Sequence, residues 1–341
     1  MLSALKSTSS RALPLLSRGY ATPSPAKLVK QLRDTIDGLA ISKAREALEA
    51  TNNDVTAALE WLSKDMALAG AKKAAKAAGA GRSTGQGLLG LSVLSRGAGV
   101  AQGRGGVRAA LVELNCETDF VARNDLFNAL LADLAHTAAF LAEPAVEGQH
   151  ISRVDISAFE GAPLISARDP SATSTLAVGD AIKETIAKTG ELIVLRRAAA
   201  VAHGPFNPGQ SPIGLRVASY AHGGATSSVG RSATLALLAL KSDKLPSLLS
   251  KESFLAELDR LERSLARQIV GFSADSIRAP EGQQDETALY SQPFGMLSGT
   301  PTALPVGEYL RSFSVEQGLG GEDEDCVNVV DMFRWQVGGP E

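Results

Sequence analysis

Gly85, Gly87 and Gly90 carry the GxGxxG spacing that lets a backbone approach a dinucleotide pyrophosphate. That chemistry needs a strand before the glycines and a helix after them, so that a helix N-terminus faces the phosphates. Here an Ala- and Lys-rich stretch precedes and an apolar strand candidate follows, so turn and linker glycines are the better reading. No GxxxxGK[ST] occurs, and the chain is therefore not itself a P-loop GTPase. The histidines His136, His150, His203 and His222 show neither HxH nor HExxH spacing, and no metal site is expected. Cys116 and Cys326 stand far apart with no CxxC, so neither a disulfide framework nor a thiolate zinc site is indicated. A thiol enzyme would have to pair Cys116 with a distant histidine, whereas a cysteine on an apolar strand ordinarily belongs to the core. No GxSxG occurs either, so no catalytic residue and no cofactor are assigned.

The informative stretch runs from Leu111 to Asp125, where the apolar strand residues Leu111, Val112 and Leu114 give way to Glu117, Thr118 and Asp119. Phe120 and Val121 follow before helix signals resume at Leu126. One reading buries Phe120 and makes Thr118 or Asp119 a helix cap. The other projects an acidic-aromatic pair from a rigid strand-to-helix turn as a protein-binding wedge. Periodicity alone leaves both open.

The surrounding pattern is α+β. Leu28, Val29 and Leu32, then Ala44, Ala47 and Leu48, then Val55, Ala58, Leu59 and Leu62 mark the inner faces of three short helices over residues 26–66. Gly38 joins the first two, and Asn52, Asn53 and Asp54 offer acceptors at the start of the third. This is the size and pattern of a ubiquitin-associated domain. Residues 67–86 read as a helical linker that ends in glycines. Leu88 to Leu94 and Val107 to Leu114 form a hairpin with a Gly- and Arg-rich tip. Helices follow over Leu126 to Leu141 and Ala181 to Thr189, with a strand over Leu192 to Val201. After an irregular insert at Pro205, Pro208 and Pro212 come a second hairpin, Leu215 to Ala221 with Thr234 to Leu240, a helix over Phe254 to Ile269 and a closing strand over Val327 to Val337. Hairpin-plus-helix groups favour antiparallel sheets packed with helices over a doubly wound parallel sheet, and residues 87–204 and 205–341 are expected as two related subdomains.

Residues 1–20 differ from the rest. The leader contains Lys6, Arg11 and Arg18, many serines and no acidic residue before Asp34, which is the composition of a mitochondrial transit peptide. Arg18 stands where a matrix-processing site would place it, with cleavage near Tyr20. Elsewhere no apolar run reaches the ~20 residues of a membrane span. A net charge of −3 gives no global basic field for coating nucleic acid, so a protein partner or small ligand is expected.

The segment NCETDFVARND, Asn115 to Asp125, resembles the signature of the elongation factor Ts family. Other segments agree in order: LVKQLRD and KAREALEATNNDVTAALEWL, AKKAAKAAG, GELIVLRR at Gly190 to Arg197, Tyr220 to Gly224, Gln292-Pro293-Phe294, and Phe333 to Gly338. The resemblance implies a non-catalytic guanine-nucleotide exchange factor of the mitochondrial matrix. Its implied partner is mitochondrial elongation factor Tu, GDP-bound and nucleotide-free, with no direct contact to nucleic acid or membrane. It also implies that Thr118, Asp119, Phe120 and Val121 enter the GTPase beside its Mg2+ and switch region, that the helical unit docks through Arg33, Leu39 and Ile41, and that His222 and Gly223 face the partner. Departures are the DTIDGLAISK turn after Arg33, the inserts around Gly97 to Gly106 and Pro205 to Pro212, and a segment from Asp275 to Leu289 too short for the helical hairpin of bacterial members. The rival reading is a ubiquitin-binding adaptor, which explains the three helices and leaves the rest of the chain without a purpose.

Overall fold

The computed structural model describes residues 24–36, 39–99, 105–144, 149–170, 176–297, 304–321 and 324–340. The expected leader, Gly38 and the centre of the first hairpin's tip lie outside the described residues. The chain divides into two compact units, the first ending at Asp65 and the second beginning at Met66.

The first unit holds α1 (Pro25–Thr35), α2 (Ile41–Ala50) and the start of α3 (Val55–Gly79). Leu28, Val29 and Leu32 of α1 are buried with Ala44, Ala47 and Leu48 of α2 and Ala58 and Leu62 of α3. These are the positions that a 3.6-residue period turns inward. Asp54 caps α3 by accepting from the Ala57 amide at 3.0 Å. Asn52 and Asn53 have φ of 52° and 64°, the left-handed region that asparagine tolerates better than most residues.

A difference from the sequence reading is that α3 and the expected linker helix are one continuous helix. Nothing between Met66 and Gly79 breaks it, because Ala, Lys and Met are strong helix formers. The later part of α3 is anchored, not free. Lys73 Nζ donates to the Ala187 carbonyl at 2.7 Å, Ala77 is buried, and a Cβ at Gly70 would overlap the Lys183 carbonyl.

The second unit continues with β1 (Gln86–Arg96), β2 (Val107–Cys116), α4 (Asp119–Ala122), α5 (Asp125–Leu141), β3 (Ser152–Arg153), α6 (Ile156–Glu160), α7 (Val178–Thr189) and β4 (Ile193–His203). Then come β5 (Ile213–His222), β6 (Val229–Gly230), β7 (Ser232–Lys241), α8 (Leu245–Leu248), α9 (Glu252–Gly271), a 3-10 turn (Leu289–Ser291), α10 (Val306–Glu316) and β8 (Val327–Gln336). One sheet has the order β3-β4-β2-β1-β6 and the other β5-β7-β8, with every named strand pair antiparallel. The fold is therefore α+β, as expected. The short elements α4, α6 and α8 were not legible, since four or five residues carry no helical period. Neither was α10, whose apolar residues Val306, Leu310 and Phe313 are nevertheless buried.

Alternation along the strands explains the layering. On β2, Ala110, Val112, Leu114 and Cys116 pack with Phe127, Leu131 and Leu134 of α5 and Ile182 of α7. Ala109 and Leu111, pointing the other way, meet Leu235 and Leu237 of β7, Val217 of β5 and Trp335 of β8. The far face of the second sheet, with Ala236, Leu238 and Leu240, packs on Leu258, Leu261, Leu265 and Ile269 of α9. The two sheets thus face one another with helices outside each. Charged pairs also sit in this core: Arg197 Nε donates to the buried Glu113 Oε2 at 2.7 Å, and the buried Arg216 contacts the buried Glu262 and the half-exposed Asp259.

The glycine fingerprint has a packing explanation. Gly85 precedes β1, and a side chain at Gly87 or Gly90 would collide with the Leu114 carbonyl or the Leu131 side chain. A strand, not a helix, follows.

Candidate functional site

The signature occupies the passage from β2 through α4 to α5. Cys116 ends the strand in the core, with its thiol pushed up to about 12 by burial and secondarily by the Glu191 charge. Glu117 Oε1 accepts from the Leu192 amide at 3.2 Å, and its other oxygen contacts Arg82. The Glu191 carboxylate takes both protons that Thr118 can donate: backbone N at 3.0 Å and Oγ1 at 2.6 Å. Thr118 is at the same time the N-cap of α4, its hydroxyl oxygen accepting from the Val121 amide at 3.4 Å. Asn124 caps α5 by accepting from the Leu126 amide at 2.8 Å, and Asn128 donates to the Ala122 and Asn124 carbonyls. Val121 and Ala122 are buried under this turn.

What remains outside is sharply defined. Phe120 is 82% exposed, so the core reading of this residue does not hold. Asp119 is half-exposed and pairs with Arg123 at 3.0 Å across one turn. Among the four residues singled out from the signature, Thr118 and Val121 are holding groups, while Asp119 and Phe120 are presented.

Gly223 lies near Asp119. Both line a cavity of about 360 Å³ that is also bordered by Gly87, Arg123, Gly224 and Arg231. Gly223 has φ of 80°, a conformation that suits glycine where β5 turns away. His222 ends β5 as an exposed residue, with Nδ1 at 3.4 Å from the Tyr220 hydroxyl.

The remaining candidates lie in the first unit. Arg33 Nε donates to the Leu39 carbonyl at 3.0 Å and so ties the end of α1 to the start of α2. Leu39 is only 8% exposed and belongs to the three-helix core, whereas Ile41 is 50% exposed. Of these three, Ile41 alone offers a large apolar surface. Arg33 and Ile41 also line a groove with Val29 and Arg45.

Sequence reasoning missed Glu191, Glu117 and Asn124 as the groups that fix the turn. Glu191 had a local signal: it follows Gly190, whose φ of 79° ends α7 and directs the chain back toward β2. Its pairing with Thr118 spans 73 positions and has no periodic trace.

No helix among the described residues is long and apolar enough to cross a membrane. The family described as Elongation factor TS matches residues 117–285. Among curated proteins, "Elongation factor Ts, mitochondrial" of Coprinopsis cinerea is 46% identical over 344 residues, covering 100% of this chain and 99% of that protein. The protein of the same name in Laccaria bicolor is 47% identical, covering 92% of this chain and 91% of its own length. "Elongation factor Ts, mitochondrial 2" of Postia placenta is 43% identical, with coverages of 96% and 97%.

Proposed function

The chain belongs to the elongation factor Ts family, and from that premise we propose that it promotes GDP release from mitochondrial elongation factor Tu without catalysing a bond change. A role as a translation elongation factor follows from the family itself. The similar proteins are named as mitochondrial, and the acid-free leader agrees with residence in that organelle.

The observation that carries the mechanism is an 82% exposed Phe120 on a turn whose other polar groups are already engaged. Because the turn that carries it is already fixed, docking need order only the Phe120 side chain and not the backbone, which lowers the entropic cost of burying it in a partner. Phe120 is the wedge. Asp119 brings a carboxylate beside it, and the exposed pair with Arg123, worth about 0–1 kcal/mol, is readily exchanged for contacts across the interface. Inserted next to the switch region of the GTPase, the pair disfavours the arrangement that holds Mg2+ and the GDP phosphates. His222, Gly223, Arg33 and Ile41 extend the contact, while Leu39 supports Arg33 from the core.

Energetically this is a coupling. The factor binds nucleotide-free elongation factor Tu more tightly than the GDP-bound form, and by linkage it weakens GDP by the same ratio. The test is to mix the purified chain with mitochondrial elongation factor Tu loaded with fluorescent GDP and chase with unlabelled GDP. Release accelerated in proportion to the chain concentration is the expected result; an unchanged rate at saturating chain rejects the function.

A further inference from the structure

A second feature lies on the α9 side of the core and has no part in the exchange reading. Arg260, Arg263 and Arg267 occupy positions i, i+3 and i+7 of α9, on the face opposite Leu258, Leu261, Leu265 and Ile269. All three arginines are exposed. They line a cavity of about 550 Å³ together with Arg96 of β1 and with Ser219 and Tyr220 of β5.

Among the described residues the carboxylates nearby pair with Arg96 and Arg260 and reach neither Arg263 nor Arg267. Glu262 and Asp259 are engaged by the buried Arg216, and Arg96 reaches Glu262 only at 3.7 Å. Arg260 has an exposed partner in Glu257 at 3.6 Å. Arg267 stands over the Tyr220 ring at 5.7 Å, a contact that leaves its charge in place. Arg263 forms no ion pair or side-chain hydrogen bond among the described residues. Arg263 and Arg267 are like charges four positions apart with no ion pair among the described residues, an arrangement that lowers stability unless an anion offsets it. Guanidinium groups suit phosphate oxygens because their planar fork donates two parallel hydrogen bonds, and serine and tyrosine hydroxyls add further donors.

We infer that this cavity binds a compact polyphosphate, of the class carried by nucleoside di- and triphosphates. Its volume lies in the range of small-ligand pockets, and its concavity favours a compact anion over an extended strand. Recognition is directed to the phosphates through Arg263 and Arg267, with Arg96 closing the opposite side.

The experiment is calorimetric titration of the full chain with inorganic pyrophosphate and, in parallel, with orthophosphate, GDP and a single-stranded RNA 20-mer. Pyrophosphate and GDP are expected to bind one site, more tightly than orthophosphate and less tightly as salt rises. The double variant Arg263→Gln/Arg267→Gln is expected to weaken pyrophosphate about tenfold or more, because charged hydrogen bonds are lost. Its melting temperature without ligand stays equal or rises, which separates lost binding from lost folding. A control, Arg123→Gln, lies outside the cavity and leaves pyrophosphate binding unchanged. Equal pyrophosphate affinity in wild type and double variant overturns the proposal, as does absence of saturable pyrophosphate binding. Binding of the RNA alone also overturns it and assigns the arginine row to an extended polyanion. Exchange activity does not enter any of these readouts, so the outcome is independent of the function proposed above.

Discussion

Truncating Phe120 to alanine separates presentation from packing. A buried phenylalanine reduced to alanine costs about 3–5 kcal/mol of folding stability through lost transfer energy and the cavity left behind. With Phe120 82% exposed, less than a fifth of the residue is withdrawn from water. Scaling the ~1.5–3 kcal/mol of a fully buried side chain by that fraction leaves ~0.5 kcal/mol or less. In a unit of this size the melting temperature then moves by about 2 °C or less. In the complex the same ring would be buried, and truncation of an aromatic anchor costs ~2–4 kcal/mol, or about 30- to 1,000-fold in affinity. The internal reference is Phe127→Ala: Phe127 is fully buried on α5, only seven positions away, and its loss should lower stability by the full ~3–5 kcal/mol. Circular dichroism melts and stopped-flow release of fluorescent GDP on both variants decide the matter. If Phe120→Ala melted like Phe127→Ala, or released GDP normally per folded molecule, the wedge assignment would be refuted.

Glu191→Gln, which can no longer accept both Thr118 protons with a full charge, is expected to slow GDP release several-fold while Phe120 remains in place; an unchanged rate under subsaturating factor would show that the turn holds itself. Gly70→Ala gains about 1 kcal/mol of helix propensity yet meets the Lys183 carbonyl, so a net loss of about 1–3 kcal/mol is expected in denaturant titration, and a gain in stability would contradict the close approach of α3 to α7. The Cys116 thiol, raised from 9.0 to about 12, makes the folded state hold its proton where the unfolded chain gives it up. Its contribution is therefore full below pH 9.0 and is lost as pH rises toward about 12, so the stability gap between wild type and Cys116→Ala should narrow over that window; a constant gap would rule the assignment out.

The layered core was legible because alternation and helical period are local signals. The runs at 107–114, 192–201 and 234–240 match strands over Val107–Cys116, Ile193–His203 and Ser232–Lys241, with no end shifted by more than two residues. What escaped was local structure without period and long-range polar pairing. A charged residue on a strand ordinarily faces water, yet Glu113 and Arg197 are both buried as a pair that also receives the Gly338 amide. Arg216 likewise interrupts an apolar strand and is balanced by carboxylates from α9, more than 40 positions away. A charge in a strand pattern has two readings, and only the partner across the fold chooses between them. Ile41 and Leu39 make the same point for apolar residues: two positions apart where α2 begins, one is exposed and the other is buried.

The order of residues in the signature follows from its two tasks. Glu117 and Thr118 come first because the end of β2 lies beside Glu191 and Leu192 at the start of β4, where a carboxylate and a hydroxyl find fixed partners. Val121 and Ala122 come last because the chain must re-enter the apolar layer between β2 and α5. Between these two anchors α4 makes a single turn of four residues. Two anchored ends of a single helical turn leave only its first residues facing outward, and these are Asp119 and Phe120. An aromatic there gains nothing from its own core. A small polar residue would serve the fold equally well, and under the function proposed above it is burial in the partner that would give the phenylalanine a role. Replacing Phe120 by serine should therefore leave folding intact and remove the same affinity as alanine. A serine variant that melted several degrees below the alanine one would mean that the ring shields the Thr118 clamp, and the holding and presenting roles would no longer be separable.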